Sequence, residues 1–264
     1  CIRDRVVAAV DPNPKVAGSG IRLLREAGIA VDVLELDSAK EQIQGFTQRI
    51  MRQRPWVRIK TATSLDGSVA LANGKSQWVT GSAARADVQY WRARSDAIVT
   101  GVGSVIADDP LLTVRDPAFA HALAPLRVVL DSYGRTPSGA QILQGNAPTL
   151  LIHQQGYGDS ELASGAHIQQ LHLPDGPRDV LGVLTELAQQ GCNEVLIEAG
   201  PAVVGSFFTA GLWDEWIAYV APKLLGADSR SVADVLVTHV PDAPQARLVQ
   251  TAQIGDDLRL TLRR

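Results

Sequence analysis

Residues 194–206 of this chain read EVLIEAGPAVVGS, and this stretch decides the fold class. It opens with an apolar, β-branched run that is typical of a buried strand, and the run ends in the acid Glu198. Gly200 and Pro201 then start a helix, because a proline in the first turn lacks only an amide hydrogen that has no partner there. A buried strand that passes directly into a helix is the repeating unit of an α/β protein.

The same alternation of strand and helix continues on both sides of this unit. Strands are predicted at 5–10, 31–36, 56–63, 96–100, 126–130, 149–153, 167–171, 194–198, 215–220 and 258–262. Helices are predicted at 18–28, 38–51, 82–94, 177–190 and 202–211. The last strand alternates apolar and polar residues, which indicates an antiparallel edge strand. The pattern predicts an α/β fold whose mostly parallel sheet binds its ligand at the carboxyl ends of the strands.

The segment 52–55, with the sequence RQRP, separates two parts of the chain. Before it lie a strand–helix–strand unit and a further helix that Ser38 is expected to cap, and a sheet of two strands is too small to be stable alone. We therefore expect a small lobe over residues 1–50 and a main domain over residues 55–264. A strand almost immediately after Cys1 indicates the later part of a longer protein.

The composition restricts the kind of partner. The chain has 264 residues, of which 45% are hydrophobic, and 25 basic against 28 acidic residues leave a net charge of −3. This charge does not favour nucleic acid or an anionic membrane, and no apolar run reaches the roughly 18 residues of a membrane span. Two cysteines and five scattered histidines form no metal or disulfide pattern. We expect a cytoplasmic protein that acts on a small molecule, with no nucleic-acid or membrane partner.

Two glycine-containing turns could hold a phosphate. Gly101 and Gly103 follow a strand, but Ile106 stands where a dinucleotide-binding fingerprint needs a third glycine, so a simple tight turn is the alternative. The helix that starts after Gly200 would offer free amide groups and the positive end of its dipole to a diphosphate. No lysine follows Gly205, which excludes a nucleotide-hydrolysing P-loop.

Other polar residues end apolar elements or flank them. Lys60 lies in a polar cluster at the end of a strand, and Glu198 is either a site residue or a solvated strand end. Trp78 could stack on a flat ring or fill the core. Arg92 and Arg115 lie on separate segments, where they could bind one phosphate between them or remain surface cations.

Five short motifs occur in order along the chain. They are KTATSLDG at 60–67, SQWVT at 76–80, RSDAIVTG at 94–101, ADDPLLTVR at 107–115 and VLDSYGR at 129–135. Together they resemble the bifunctional deaminase–reductase family of riboflavin biosynthesis, and the resemblance runs from about residue 5 to the C-terminus. It implies a dihydrofolate-reductase-like fold with NADPH-dependent 5-amino-6-(5-phosphoribosylamino)uracil reductase activity. Hydride transfer to C1′ of the ribose would give the ribitylamino product.

The first 50 residues resemble only the closing part of a cytidine-deaminase-like domain. The deaminase motifs that hold zinc, a His-Ala-Glu segment and a Pro-Cys pair with a further cysteine, do not occur in this sequence. Cys1 stands too close to the first strand to be assigned as a ligand. The resemblance therefore implies zinc, and a hydrolytic deaminase activity, only for a part that would precede this chain, and no metal site within it.

The resemblance also implies which residues form the reductase site. Those expected to line the cofactor are Ala62, Trp78, Ser104, Asp108, Ser132, Gly200, Pro201, Ala202, Val203, Val204, Gly205 and Ser206. Those expected to contact the substrate, with the arginines on its 5′-phosphate, are Ser76, Arg92, Leu112, Arg115 and Glu198. Lys60, Asp108 and Glu198 are the polar groups expected near the reacting carbon, and Asp108 is the preferred proton carrier.

The loop after the strand 126–130 bears on the choice of cofactor. Ser132 and Arg135 suit the 2′-phosphate of NADPH, whereas Asp131 would suit NADH unless it faces away, as the resemblance implies. Two other functions remain open, namely a pterin reductase on the same fold and a non-catalytic nucleotide-binding module. The resemblance further implies a homodimer, with strand 258–262 as a contributor, and the alternative is a monomer.

Overall fold

A nine-stranded sheet forms the centre of the computed structural model, which describes residues 4–158 and 166–264. Before it come β1 (Asp4–Val7), α1 (Ser19–Glu26), β2 (Ala30–Val33), α2 (Asp37–Gln42) and α3 (Gln44–Arg52). The first half of the main part contains β3 (Trp56–Ser64), β4 (Ser68–Ala70), α4 (Ser82–Arg94), β5 (Ala97–Gly101), α5 (Val102–Asp108), β6 (Leu126–Leu130), β7 (Thr149–Gln154) and β8 (Ile168–Leu173). The second half contains α6 (Val180–Gln189), β9 (Glu194–Ile197), α7 (Pro201–Ala210), β10 (Glu215–Ala221), β11 (Arg230–Ser231), β12 (Arg247–Ile254) and β13 (Asp257–Arg263).

The strand order across the large sheet is β12-β13-β10-β3-β9-β5-β6-β7-β8. The seven strands from β10 to β8 are parallel, and β13 and β12 are added antiparallel at one end. The predicted mostly parallel sheet with flanking helices is confirmed. β9 lies between β3 and β5, so a strand from the C-terminal half of the chain is inserted between two strands from the N-terminal half.

Both faces of the sheet are buried, which explains the continuous apolar runs of its central strands. In β9, Val195 and Ile197 face one side and pack with α6 and α7, while Leu196 faces the other. That second side is covered by α4 through Val88 and Trp91. Because alternate residues enter two different cores, β9 tolerates almost no polar residue before Glu198.

The prediction that strand 258–262 forms an edge is wrong. The structure places β13 between β10 and β12, and β12 is the edge strand. A turn at Gly255, whose φ of 63° suits glycine, joins the two strands into a hairpin. Nearly all of β12 is exposed, so its sequence, RLVQTAQI, carries no burial pattern to reveal it.

The small lobe has the expected strand–helix–strand order, with β1 and β2 paired in parallel. The single predicted helix 38–51 is corrected to α2 and α3, which are separated at Ile43, and Ser38 does not cap it because the helix already begins at Asp37. In α3, Gly45 lies directly on the start of β9, where an added Cβ would come within 2.8 Å of the Asn193 carbonyl oxygen. α3 is therefore packed closely against the sheet at this point.

Arg54, two residues after the end of α3, is buried, although it lies in the predicted linker. Its guanidinium donates two hydrogen bonds to the Asp214 carboxylate, at 2.7 and 2.8 Å. The same carboxylate accepts from the Gln48 amide at 3.0 Å. Segment 52–55 is thus attached to the main sheet.

None of the helices in the described ranges is long and apolar enough to cross a membrane.

Candidate active site

Polar side chains converge where β3 and β9 approach their carboxyl ends. The two strands are in register with Ile59 opposite Ile197, so the next positions, Lys60 and Glu198, are neighbours. The Lys60 ammonium lies 3.3 Å from the Glu198 carboxylate. The sheet order therefore joins two residues that are far apart in the sequence.

Arg92, from α4, completes this cluster. Its guanidinium donates two hydrogen bonds to Glu198, from Nε at 2.6 Å and from Nη2 at 2.9 Å. Burial alone would raise the pKa of the Glu198 carboxyl, but the charges and hydrogen bonds of Arg92 and Lys60 outweigh burial and lower the pKa to about 2. Burial alone would lower the pKa of Arg92, and Glu198 more than offsets this and raises it. Glu198 is therefore a fixed anion at neutral pH, and the alternative of a solvated strand end does not hold.

The loop 112–115 lies against the same helix. The third guanidinium nitrogen of Arg92, Nη1, donates to the Thr113 carbonyl oxygen at 3.1 Å. The Arg115 side chain is exposed, and its main-chain amide donates to Gln89 at 2.7 Å. Both arginines thus lie at one loop, but their side chains differ in their partners. The Arg92 guanidinium is hydrogen-bonded to Glu198 and Thr113, whereas the Arg115 side chain extends into solvent.

Leu112, which is expected at the substrate, has a buried side chain. It is only 4% exposed and packs in the core under α4, so the expected substrate contact stays a prediction for its main chain. Its backbone has a φ of 48°, in the left-handed region that a leucine rarely adopts. Leu112 therefore fixes the course of the loop, and only its main chain could face a ligand.

The start of α7 has the features expected of a phosphate-binding turn. No side chain caps Gly200, and its amide donates to the Ser104 hydroxyl at 3.2 Å. Gly101 lies against α7 so closely that an added Cβ would come within 2.8 Å of the Val203 side chain. Ala202 is exposed, and Pro201 is half-buried. The first turn of α7 is thus held beside the end of β5 and has no side-chain cap, which fits an anionic group.

The next residues of α7, Val204, Gly205 and Ser206, make contacts within the protein. Val204 is fully buried in the core, and an added Cβ at Gly205 would collide with the Asp234 carbonyl oxygen. Val204 and Gly205 therefore pack against the protein interior, and the cofactor contact expected of them stays a prediction. The hydroxyl of Ser206 donates to the carbonyl oxygen of Val203 inside the helix, at 2.7 Å.

A second polar pair joins two motifs. The Ser76 hydroxyl donates to the Asp108 carboxylate at 3.1 Å, and Asp108 ends α5 in an exposed position. Trp78 is 62% exposed, with the Arg85 guanidinium 4.5 Å from its ring centre, so it does not fill the core. An exposed indole next to these polar groups leaves a flat surface available to a ring.

The remaining expected site residues line neighbouring strand ends. Ala62 is half-buried in β3. Asp131, after β6, is fully buried, and its carboxylate accepts from both the amide and the hydroxyl of Thr136, each at 2.7 Å. It therefore faces into the protein, while the next residue, Ser132, remains half-exposed.

Two residues that support these loops were not predicted. Lys223, after β10, donates to the carbonyl oxygens of Trp78 at 3.1 Å and Val79 at 2.8 Å. Gln89 lies one turn before Arg92, and this spacing on a predicted helix was a usable signal. Within the part of the chain that the structure describes, no group of three or more His, Cys, Asp or Glu side chains is placed to hold a metal ion.

Comparisons with known proteins agree with the motifs. The profile of the RibD C-terminal domain matches residues 55–260. The riboflavin biosynthesis protein RibD of Escherichia coli strain K12 is 38% identical over 273 residues, which cover 98% of this chain and 74% of that protein.

Solved structures give the same result. Form 1 of Acinetobacter baumannii RibD is 39% identical with a TM-score of 0.90, over 99% of this chain and 72% of that one. A diaminohydroxyphosphoribosylaminopyrimidine deaminase/5-amino-6-(5-phosphoribosylamino)uracil reductase from Thermotoga maritima is 25% identical with a TM-score of 0.86, over 99% and 71%. The chain therefore belongs to the RibD C-terminal domain family, the reductase half of the riboflavin biosynthesis protein RibD.

Proposed function

We propose that this chain reduces 5-amino-6-(5-phosphoribosylamino)uracil with NADPH and forms the ribitylamino product of riboflavin biosynthesis. The observation that carries this proposal is the buried cluster of Lys60, Glu198 and Arg92, which lies beside the uncapped start of α7. The cluster offers one fixed anion and two cations at the strand ends where an α/β sheet binds its ligand. Membership of the RibD family supports the choice of reaction.

The first turn of α7 and the loops around it fit a nicotinamide nucleotide. The Ser104 hydroxyl, which accepts from the Gly200 amide, and the amide of Ala202 would hold its diphosphate, since the start of a helix favours a negative charge. Trp78 offers an exposed ring for stacking. When bound, the cofactor supplies the hydride that reduces C1′ of the substrate.

NADPH is the proposed cofactor because of the loop after β6. Asp131 is buried and bonded to Thr136, so no carboxylate is offered to an adenosine ribose there. Ser132 and Arg135 can instead donate to a 2′-phosphate. A Ser132→Ala variant is expected to lose part of its preference for NADPH over NADH, and a ratio of the two kcat/KM values that stays unchanged would contradict this assignment.

The substrate is proposed to lie over the Lys60–Glu198 pair with its 5′-phosphate on Arg115. Arg115 is exposed and can donate two hydrogen bonds to a phosphate, whereas Arg92 is already bonded to Glu198. We therefore assign to Arg92 the task of orienting Glu198. The Glu198 carboxylate, as a fixed anion, can accept hydrogen bonds from hydroxyl groups of the ribose chain.

Lys60 is proposed to supply the proton. The substrate opens its ribose ring to an imine, and reduction adds one hydride to C1′ and one proton to the attached nitrogen. Glu198 is ionised and cannot donate that proton, while the Lys60 ammonium has two further N–H groups besides the one directed at Glu198. Asp108 remains the second candidate, although it lies at the exposed end of α5, where its carboxylate accepts from the Ser76 hydroxyl. Comparison of Lys60→Met with Asp108→Asn separates the two roles, since loss of the proton donor lowers kcat more than it raises KM.

Absorbance at the nicotinamide band tests the proposed reaction. Wild-type chain is expected to oxidise NADPH when 5-amino-6-(5-phosphoribosylamino)uracil is present and not when dihydrofolate replaces it. Turnover with dihydrofolate alone would establish the pterin reductase, which needs no phosphate-binding arginine. Binding of NADPH without oxidation by either substrate would establish a non-catalytic module.

We also propose that the chain forms a homodimer through the edge strand β12. β12 has eight residues, nearly all of them exposed, and a long unpaired edge is a site for strand pairing. Light scattering is expected to give twice the monomer mass at micromolar concentration. A monomer mass would contradict the proposal.

A further inference from the structure

We infer that Gln89 is a positioning residue for the substrate, because it holds the main chain from which the Arg115 side chain projects. The inference rests on the proposed function, since it takes Arg115 to be the group that binds the 5′-phosphate. Gln89 itself lies in α4 and is only 8% exposed, so it acts on the substrate through the loop 112–115 and not by contact.

Two side chains of α4 hold this loop by its backbone. The Gln89 side-chain oxygen accepts from the Arg115 amide at 2.7 Å. Three residues further along the helix, Arg92 donates to the Thr113 carbonyl oxygen at 3.1 Å. Residues three apart lie on the same face of a helix, so α4 presents one acceptor and one donor to alternate residues of the loop.

The loop needs such support because it belongs to no regular element. Residues 112–115 form neither helix nor strand, and Leu112 adopts a left-handed conformation with its side chain in the core. Leu112 anchors one end of the segment, and the contacts from α4 determine how the other end leaves it. Without the Gln89 acceptor, the Arg115 amide loses its partner and the direction of the side chain is no longer fixed.

Arg92 connects this support to the centre of the site. It holds Glu198 with two nitrogens and the loop with the third. Gln89 and Arg92 therefore place the phosphate-binding cation at a set position relative to the Lys60–Glu198 pair. A substrate that spans both points gains affinity from this arrangement, because the loop need not be ordered on binding.

The test compares Gln89→Met with Gln89→Glu in the full chain. Methionine has a similar size and removes the acceptor, whereas glutamate keeps a side-chain oxygen in the same place. We expect Gln89→Met to raise KM for the phosphoribosylaminouracil about tenfold, which is the typical effect of one lost hydrogen bond. The inhibition constant of inorganic phosphate, competing with the substrate, should rise in parallel, while kcat and the Kd of NADPH stay unchanged. Gln89→Glu should keep KM near the wild-type value.

The double variant Gln89→Met/Arg115→Ala distinguishes positioning from general damage. If Gln89 acts through Arg115, the two changes together raise KM by much less than the product of their separate effects. Multiplicative effects, or equal weakening of NADPH binding by Gln89→Met, would contradict the inference. If the wild type turns over this substrate and Gln89→Met has an unchanged KM, the inference is also overturned. A wild type that is inactive with this substrate would instead contradict the proposed function.

Discussion

Replacement of Glu198 by glutamine tests the buried charge cluster in the site. The side chain is 7% exposed and accepts from Arg92 twice and from Lys60 once, so the substitution leaves two cations without their shared anion. The pKa of Glu198 is lowered from 4.5 to about 2, which corresponds to roughly 3 kcal/mol at 1.36 kcal/mol for each pKa unit. Removal of one partner of a buried ion pair has a cost of the same order. We expect Glu198→Gln to lower the free energy of unfolding at pH 7 by about 3 kcal/mol.

The pH dependence gives the same prediction a second, independent measurement. Because the folded-state pKa of Glu198 is lowered, its stabilising contribution is present above about pH 4.5 and is lost as the pH falls towards 2. Urea unfolding followed by circular dichroism at several pH values should therefore show the two proteins converging in this interval. Glu26→Gln serves as control, because Glu26 forms only an exposed pair with Arg22 and should change stability by less than about 1 kcal/mol. A Glu198→Gln variant as stable as the control at pH 7 would refute the reasoning.

Two further predictions concern the ligands. Arg115→Ala should raise KM for the phosphoribosylaminouracil roughly ten- to a hundredfold and leave the Kd of NADPH unchanged, because a charged contact to phosphate is worth about 1.5–3 kcal/mol; a normal KM would place the phosphate elsewhere. Gly101→Ala should weaken NADPH binding, measured by fluorescence titration, because the new Cβ would press on Val203 and move the start of α7. Gly103→Ala is the matched control, since a Cβ there meets nothing within 4 Å, and equal loss in both variants would argue against the α7 site.

The central strands and α4 could be predicted because burial leaves a pattern in the sequence. β9 is apolar at every position after Glu194 since it lies between two cores, and the bounds of α4 agree with the prediction at both ends. β12 could not be predicted, because it is exposed along most of its length and its apolar residues follow no regular alternation. The break between α2 and α3 falls at Ile43, whose φ of −102° and ψ of 12° depart from helical values, and no local pattern in the sequence marks it.

The sequence predicted which residues belong to the site better than it predicted which of them contact each other. Lys60, Arg92 and Glu198 were all expected there, but their mutual contacts depend on the insertion of β9 between β3 and β5, and periodicity does not reveal strand order. Arg92 was expected on the phosphate, and the structure shows its guanidinium bonded to Glu198 and to the Thr113 carbonyl oxygen. The core position of Leu112 depends on its left-handed backbone, which is equally invisible in the sequence.

The most direct test of the proposed reaction follows the hydride itself. NADPH that carries deuterium at C4 of the nicotinamide, prepared separately with the label on each face, is incubated with the wild-type chain and 5-amino-6-(5-phosphoribosylamino)uracil. Mass spectrometry and proton NMR of the product should show one deuterium at C1′ of the ribityl chain from one of the two labelled cofactors. A product without deuterium at C1′ from either cofactor, or no ribityl product at all, would contradict the account.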